Sequence, residues 1–144
     1  MQKIVTKEIK CLHCRIKRII DRNMPKNIHL NVTQMQIMTY LFKHEKEETC
    51  QKDLESETHL KKASITGAID TLEEMGLVER VQAKEDKRRN IIKFTPYAKK
   101  EKQGIVSVYD LLNKVIVKGL TQEEIESFFN VIEKMKNNLE KEAI

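Results

Sequence analysis

The chain has 144 residues, 40% of them hydrophobic and 5% aromatic, and its formal net charge is +5. This length suits one domain that buries a core without disulfides, and four Gly and two Pro leave little material for tight β-turns, so we expect a mostly helical fold. No run approaches the roughly 18 apolar residues of a membrane span, and no signal peptide is recognisable, which predicts a cytoplasmic protein with no membrane partner. Because three cysteines are an odd number, we expect free thiols rather than a framework of disulfides.

The first two helices are predicted from apolar periodicity and capping patterns. The first should end between Arg22 and Pro25, and its apolar stripe is Val5, Ile9, Leu12, Ile16 and Ile19. The second should begin at Thr33, with Gln36 closing a capping box and Val32 packing against Ile37 as a hydrophobic staple. The side chains expected on its buried face are Ile37, Met38, Leu41 and Phe42.

A helix, a second helix and a hairpin are predicted to follow in close succession. Thr49 is expected to cap a short third helix that contains Leu54. The fourth helix, over 61–76, carries the buried stripe Ile65, Ile69 and Leu72 and ends at Gly76. Two β-prone runs, 77–82 and 90–94, then flank a basic turn, and Thr95 with Pro96 begins the fifth helix.

The last two predicted helices carry long apolar stripes. The fifth helix ends at Gly119 and carries Ile105, Val108, Leu112 and Val115. The sixth begins with a capping box from Thr121 to Glu124 and carries Ile125, Phe128, Ile132, Met135 and Leu139. Together with the first helix, these stripes offer more apolar surface than a small core can cover, so we expect a second copy of the chain to cover them.

The positive charge is concentrated around the predicted hairpin. Residues 80–102 contain nine Lys or Arg and three acidic residues (9 − 3 = +6), so the rest of the chain sums to −1 (5 − 6). A local positive patch predicts a polyanion partner. We expect Arg88 to enter a DNA minor groove with Asp86 bracing its guanidinium. The predicted phosphate contacts are Lys84, Lys87 and Arg89.

The fourth helix carries short polar residues beside its apolar stripe, including Lys62, Ser64, Thr66, Gly67, Asp70 and Thr71. The N-terminal half of a recognition helix meets base edges in the major groove. Gly67 costs the helix about 1 kcal/mol relative to alanine, and a close approach to DNA is one reason to keep it. The alternative is that Lys61 and Lys62 form a solvated face and that Gly67 makes room for a neighbouring helix.

Three segments, in this order and spacing, resemble the MarR family of bacterial transcription regulators. They are Thr-x-x-Gln from Thr33, Leu-Glu-x-x-Gly-Leu-Val from Leu72, and Asp-x-Arg followed by hydrophobics and Thr from Asp86. The resemblance runs over nearly the whole chain, with two departures: Lys61 stands where a capping Ser is common, and Ala98 where a Gly is frequent.

The resemblance implies a winged helix-turn-helix, mainly α with a small β-hairpin, in one domain over 1–144. Residues 33–95 would form its DNA-binding lobe, and 1–30 with 96–144 a helical dimerisation lobe. Ser64, Thr66 and Gly67 would face bases, and Arg88 would be the wing arginine. A small aromatic effector is also implied, in a pocket that Tyr40 and Met38 would line.

These features predict a homodimer that binds double-stranded DNA at an inverted repeat and represses transcription, released by a small ligand or an oxidant. Repression is the simpler default, and activation stays open. A winged helix that docks proteins without binding DNA is the alternative, although such a module has no need for a braced arginine. No phosphate loop, H-E-x-x-H motif or carboxylate cluster around a histidine indicates an enzyme, and we expect no cofactor.

Cys11 and Cys14 are predicted to lie opposite the apolar stripe of the first helix, among Lys7, Lys10, Arg15 and Arg18. A cationic setting favours the nucleophilic thiolate, which suits an oxidant sensor. Some MarR relatives sense peroxides through a cysteine near the position of Cys11, but their tyrosine one turn later is Arg15 here. The alternative is that both thiols fill a dimer contact. His13 projects away from both, so no metal site is expected.

Overall fold

The structure, a computed structural model, describes residues 2–142 and divides into two compact units, one up to Leu112 and one from Asn113. Its elements are α1 (Val5–Asn23), α2 (Val32–Lys43), α3 (Gln51–Thr58), α4 (Lys62–Glu74), β1 (Val78–Gln82), β2 (Asn90–Phe94), α5 (Pro96–Ile116) and α6 (Gln122–Lys141). The predicted class, mainly helical with a small hairpin, is confirmed. Within the described range, none of the helices is long and apolar enough to cross a membrane.

The hydrophobic core of the first unit lies between α2, α3, α4 and the hairpin. The apolar residues predicted to face inward on α2 and α4 are all buried, as is Leu54 of α3. Ile20 near the end of α1 and Ile105 of α5 join the same core. Strands β1 and β2 pair antiparallel with Arg80 opposite Ile92, which places the connecting loop 83–89 at the far end of the hairpin.

The start of α2 differs from the prediction, because Asn31 and not Thr33 caps this helix. The Asn31 side-chain oxygen accepts the Gln34 backbone N–H at 2.8 Å, and the Gln34 side chain accepts the Asn31 N–H at 3.0 Å. Asn is as good a cap as Thr, and this register buries Leu30 and Met35 on either side of the first turn. The capping box predicted from Thr33 is therefore wrong by two residues.

The predicted cap of α3 is also wrong, because Cys50 precedes the helix and Thr49 does not cap it. The Asp53 carboxylate accepts the backbone N–H of Cys50 at 2.8 Å and its thiol at 3.2 Å. The hydrogen bond from the Cys50 backbone holds the pKa of the Asp53 carboxyl below its usual range. Thr49 is instead buried, and its carbonyl accepts the Ile92 N–H at 2.7 Å, which ties α3 to β2.

Apolar side chains remain exposed on α1 and on α6. On α1, Ile16 and Ile19 pack against the core, whereas Val5, Ile9 and Leu12 are 53%, 50% and 44% exposed. The capping box of α6 from Thr121 to Glu124 is confirmed. None of the described residues of α6 is buried, and Phe128 and Phe129 are 51% and 61% exposed.

Candidate nucleic-acid interface

One face of α4 is open to solvent, and Gly67 lies at its centre. Ile65, Ile69 and Leu72 bury the opposite face, which leaves Ser64, Gly67 and Thr71 exposed. Apart from its chain neighbours and the backbone of α4 itself, no atom of the described residues lies within 4 Å of the position that a Cβ on Gly67 would occupy. The alternative explanation, that Gly67 makes room for a neighbouring helix of this chain, is therefore wrong.

Thr66 lies on the flank of α4 that faces α3 and is half-buried. Its hydroxyl accepts a hydrogen bond from the Gln51 amide at 2.8 Å and donates one to the Lys62 carbonyl at 2.9 Å. The bond from Gln51 joins the two helices of the helix-turn-helix, whereas the bond to Lys62 lies within α4. Sequence reasoning missed Gln51, and no local pattern marks a partner 15 residues away.

The loop between the strands, residues 83–89, forms the wing, with Lys87 and Arg88 at its tip. Its base is closed by a hydrogen bond of 2.9 Å from the Ala83 N–H to the Arg89 carbonyl. A second bond of 3.0 Å runs from the Arg89 N–H to the Asp86 carbonyl and makes a tight turn from 86 to 89. The exposed basic residues of this loop are Lys84, Lys87, Arg88 and Arg89.

Asp86 braces Arg88 through the backbone. Its carboxylate accepts the Arg88 backbone N–H at 2.9 Å, the arrangement of an Asx-turn. The ion pairs within residues 2–142 include none between Asp86 and the Arg88 guanidinium, so the predicted side-chain brace is wrong. An Asp at the first position of a turn is a recognisable signal for this bond. Asp86 thus fixes the tip and leaves the guanidinium available to a partner.

Several of the other basic residues in the 80–102 window engage partners within the chain. Arg89 lies 3.6 Å from the Glu48 carboxylate, and Lys99 lies 3.4 Å from that of Glu45. The Lys102 ammonium sits 5.7 Å from the centre of the Phe42 ring. The positive charge of the 80–102 window is therefore spread over several surfaces, and the exposed basic residues at the wing tip, Lys87 and Arg88, form no ion pair within the described residues.

Arg80 ties the hairpin to α4, a link that sequence reasoning missed. Its guanidinium, on β1, lies 2.6 Å from the Asp70 carboxylate and 3.0 Å from that of Glu73, both on α4. The two partners are seven and ten residues away on a different element from Arg80, so no repeat within one helix or strand marks these pairs. Arg80 both orients the hairpin and neutralises acidic groups beside the exposed face of α4.

Two grooves flank α4. We call the first the wing groove, and it is lined by Cys50, Gln51, Lys52, Glu55, Lys62, Asp86, Arg88, Arg89 and Asn90. We call the second the α2 groove, and it is lined by Asn31, Thr33, Gln34, Leu60, Ser64, Gly67, Ala68 and Thr71. The wing groove has four basic and two acidic residues, and the α2 groove has none of either kind. The predicted site residues thus divide between the two sides of α4.

The three cysteines are free: Cys11 and Cys14 are exposed on α1, and Cys50 is half-buried in the wing groove. No group of three or more metal-binding side chains occurs within the described part of the chain. The predicted effector pocket is not supported at Met38, which is fully buried in the core. Tyr40 is half-buried, and its ring stacks on His44 with 4.0 Å between the ring centres.

Comparison with known proteins finds a family model that matches the part of the chain with this geometry. Residues 30–89, which include α2, α4 and the wing, match the MarR family model. Over 124 residues the chain is 22% identical to YdgJ, an uncharacterised HTH-type transcriptional regulator of Bacillus subtilis, covering 86% of this chain and 74% of that protein.

Solved structures share the fold. The transcription regulator MarR from Oenococcus oeni is 26% identical with a TM-score of 0.70, and the alignment covers 92% of this chain and 96% of that one. MepR of S. aureus, solved in complex with DNA, is 20% identical with a TM-score of 0.79, covering 96% and 100%. The likeness to MepR indicates a common fold.

Proposed function

We propose that this chain, which belongs to the MarR family of transcriptional regulators through the match over residues 30–89, is a homodimeric repressor that binds double-stranded DNA at an inverted repeat. Membership of this family makes the chain a regulator and not an enzyme, as the sequence predicts. The observation that carries the DNA-binding proposal is the open, glycine-centred face of α4 beside a wing whose tip arginine is free.

The two grooves suggest how a duplex is held. With α4 in the major groove, Ser64 and Gly67 face base edges, and the sugar-phosphate strands on either side pass along the wing groove and the α2 groove. Lys62, Lys84, Lys87 and Arg89 contact phosphates, which makes the affinity strongly dependent on salt. Arg88 enters the minor groove, where a planar guanidinium fits a narrow and negative channel.

The dimer is proposed from exposed apolar side chains on two helices. Val5, Ile9 and Leu12 on α1 and Phe128 and Phe129 on α6 are each 44% or more exposed. A second copy that covers them would relate two α4 helices by a twofold axis, with half-sites about one helical turn apart. The proposal divides the chain into a winged DNA-binding lobe, residues 33–95, and a dimerisation lobe, residues 1–30 and 96–144. It also places the protein in the cytoplasm.

Selection of bound duplexes from a random DNA pool tests the function. We expect recovery of an inverted repeat whose half-sites are spaced by one helical turn. A pool that shows no enrichment at low salt, while the folded protein captures a protein partner, would favour the protein-docking alternative. Asymmetric single sites would instead contradict the dimeric mode of binding.

Sedimentation at micromolar concentration tests the dimer separately. We expect twice the monomer mass, and we expect Phe128→Glu to shift the equilibrium towards monomer because a charge would be buried at the contact. Glu123→Lys, an exposed charge change on the same helix, is the control. A monomeric wild-type protein would contradict the proposal.

Release by an oxidant or a small aromatic effector remains part of the proposal. If Cys11 is the sensor, peroxide releases operator DNA from the wild-type protein and not from Cys11→Ser. Equal release from both proteins would exclude Cys11. A phenolic ligand that leaves operator affinity unchanged at millimolar concentration would count against an aromatic effector.

A further inference from the structure

Two thiols lie next to each other on the exposed surface of α1. Cys11 and Cys14 are both free and exposed, and they are three residues apart in a continuous helix. Helical residues with this spacing are surface neighbours, with about 5 to 6 Å between their β-carbons. The two sulfur atoms can therefore reach one common ligand atom while the helix stays intact.

The face that holds these thiols is separate from the core and from the apolar stripe of α1. At about 100° per residue, Cys14 lies about 60° from Cys11 around the helix axis, on the side away from Ile9 and Ile16. Ile20, which lies six residues after Cys14, anchors α1 in the core of the first unit. A group bound to the two sulfurs would thus project into solvent without disturbing the packed residues.

Charged side chains surround the two thiols on this face of α1. They are four exposed cations, Lys7, Lys10, Arg15 and Arg18, against one carboxylate, Glu8. The ion pairs within residues 2–142 include none of the four cations. The surface that carries Cys11 and Cys14 therefore has a net positive charge.

The spacing decides which ligand this pair takes. A disulfide needs about 3.5 to 4.5 Å between β-carbons, which is closer than helical neighbours lie, so direct oxidation to a disulfide would distort α1. A structural zinc site needs four ligands, and no cluster of three or more metal-binding side chains occurs among the described residues. The pair therefore suits a trivalent ligand atom that forms bonds to both sulfurs and whose third bond goes to a substituent of the ligand itself.

We propose that Cys11 and Cys14 form a dithiol site that chelates trivalent organoarsenicals. In this condensation each thiol loses its proton, two arsenic–sulfur bonds form, and the oxide oxygen of the arsenical leaves with both protons as water. Arsenic stays trivalent and keeps its carbon substituent, so the reaction needs no oxidant or reductant. The site goes beyond the proposed DNA-binding function and does not depend on it.

Phenylarsine oxide and the intact mass of the full-length protein test the site. We expect one phenylarsenic group per wild-type chain, retained in excess glutathione and removed by a dithiol such as dithiothreitol. Cys50→Ser should retain the adduct. Cys11→Ser and Cys14→Ser should each lose it in glutathione, because a single arsenic–sulfur bond exchanges with a monothiol.

A matched control separates chelation from simple thiol exposure. Cys14→Ser combined with Lys17→Cys keeps two thiols on α1 but places them six residues and about 120° apart. This variant should lose the adduct in glutathione. The proposal is overturned if the control retains it, or if the wild-type protein reacts only after unfolding in urea, which would mean that a second copy covers the thiols.

Discussion

Gly67 occupies the centre of the exposed face of α4, where the rest of the chain gives no reason for a glycine. An added Cβ would meet nothing within 4 Å, and alanine would favour the helix by about 1 kcal/mol. The fold alone would therefore be more stable without this glycine. A partner that approaches the bare backbone closely is the remaining physical explanation, and DNA is the partner proposed here.

Gly67→Ala should therefore raise the free energy of unfolding by up to about 1 kcal/mol and weaken operator binding. Denaturant titration and operator affinity at fixed salt measure the two effects. Gly104→Ala is the matched control, because its Cβ would lie 2.6 Å from the Pro25 ring and should lower stability while sparing DNA affinity. A Gly67→Ala protein with unchanged affinity would remove the argument for close approach.

The sequence predicted which residues lie in the candidate DNA-binding site, but it did not predict their hydrogen-bond partners within the chain. The exposed tip position of Arg88 follows from a basic turn between two strands. The bond from Asp86 to the Arg88 backbone, in contrast, depends on the exact turn. The partner of Thr66 was equally unpredictable. A helix wheel places Thr66 off the apolar stripe, but it does not reveal that the Gln51 amide of α3 donates a hydrogen bond to the Thr66 hydroxyl.

At the scale of elements, periodicity predicted the helices better than their first residues. Thr33 with Gln36 and Asn31 with Gln34 both fit a capping box, and tertiary burial of Leu30 and Met35 selects the second. Thr49 is the better cap by residue type, but its carbonyl pairs with β2. A single sequence shows which residues could cap a helix, but contacts with distant segments determine which of them does.

The start of α3 predicts a pH dependence of stability. Because the Cys50 backbone N–H lowers the folded-state pKa of Asp53, the stabilisation is complete above the unfolded-state pKa of about 3.9. It is lost as the pH falls through the lower folded-state value. Asp53→Ala should thus cost about 1 kcal/mol at pH 7, and progressively less than that below about pH 4.

Chemical denaturation at several pH values measures this difference. Glu57→Ala, an exposed carboxylate of the same helix, is the control and should differ little from wild type. A cost of Asp53→Ala that stays constant from pH 7 down to pH 3 would show that the carboxylate charge is not what stabilises the start of α3.

Arg80 sets the relation between the hairpin and α4. Arg80→Ala should weaken operator binding, because it removes the link between the hairpin and α4 and leaves the charges of Asp70 and Glu73 without a partner beside the DNA-binding face. The effect on stability should be only about 0.5 to 1 kcal/mol, since these pairs are partly exposed. Adding Asp70→Asn and Glu73→Gln to Arg80→Ala should recover part of the affinity, and no recovery would mean that charge is not the cause.

At the scale of the whole molecule, large apolar side chains remain exposed on several helices of the described residues. The exposed side chains include those on α1, on the C-terminal part of α5 and on α6. A single wing reads half of an inverted repeat, so the dimer and the DNA site belong to one mechanism. The sequence predicted this from apolar stripes, but the arrangement of two copies depends on contacts between chains that no local pattern fixes.

The most direct test of DNA binding through the wing is the operator affinity of Arg88→Ala across a salt series. We predict a loss of about 1 to 3 kcal/mol, roughly 5- to 150-fold, with the dimer mass unchanged. Lys141→Ala, which removes one positive charge from α6, should bind as the wild-type protein does. Unchanged affinity of Arg88→Ala at every salt concentration would contradict the account.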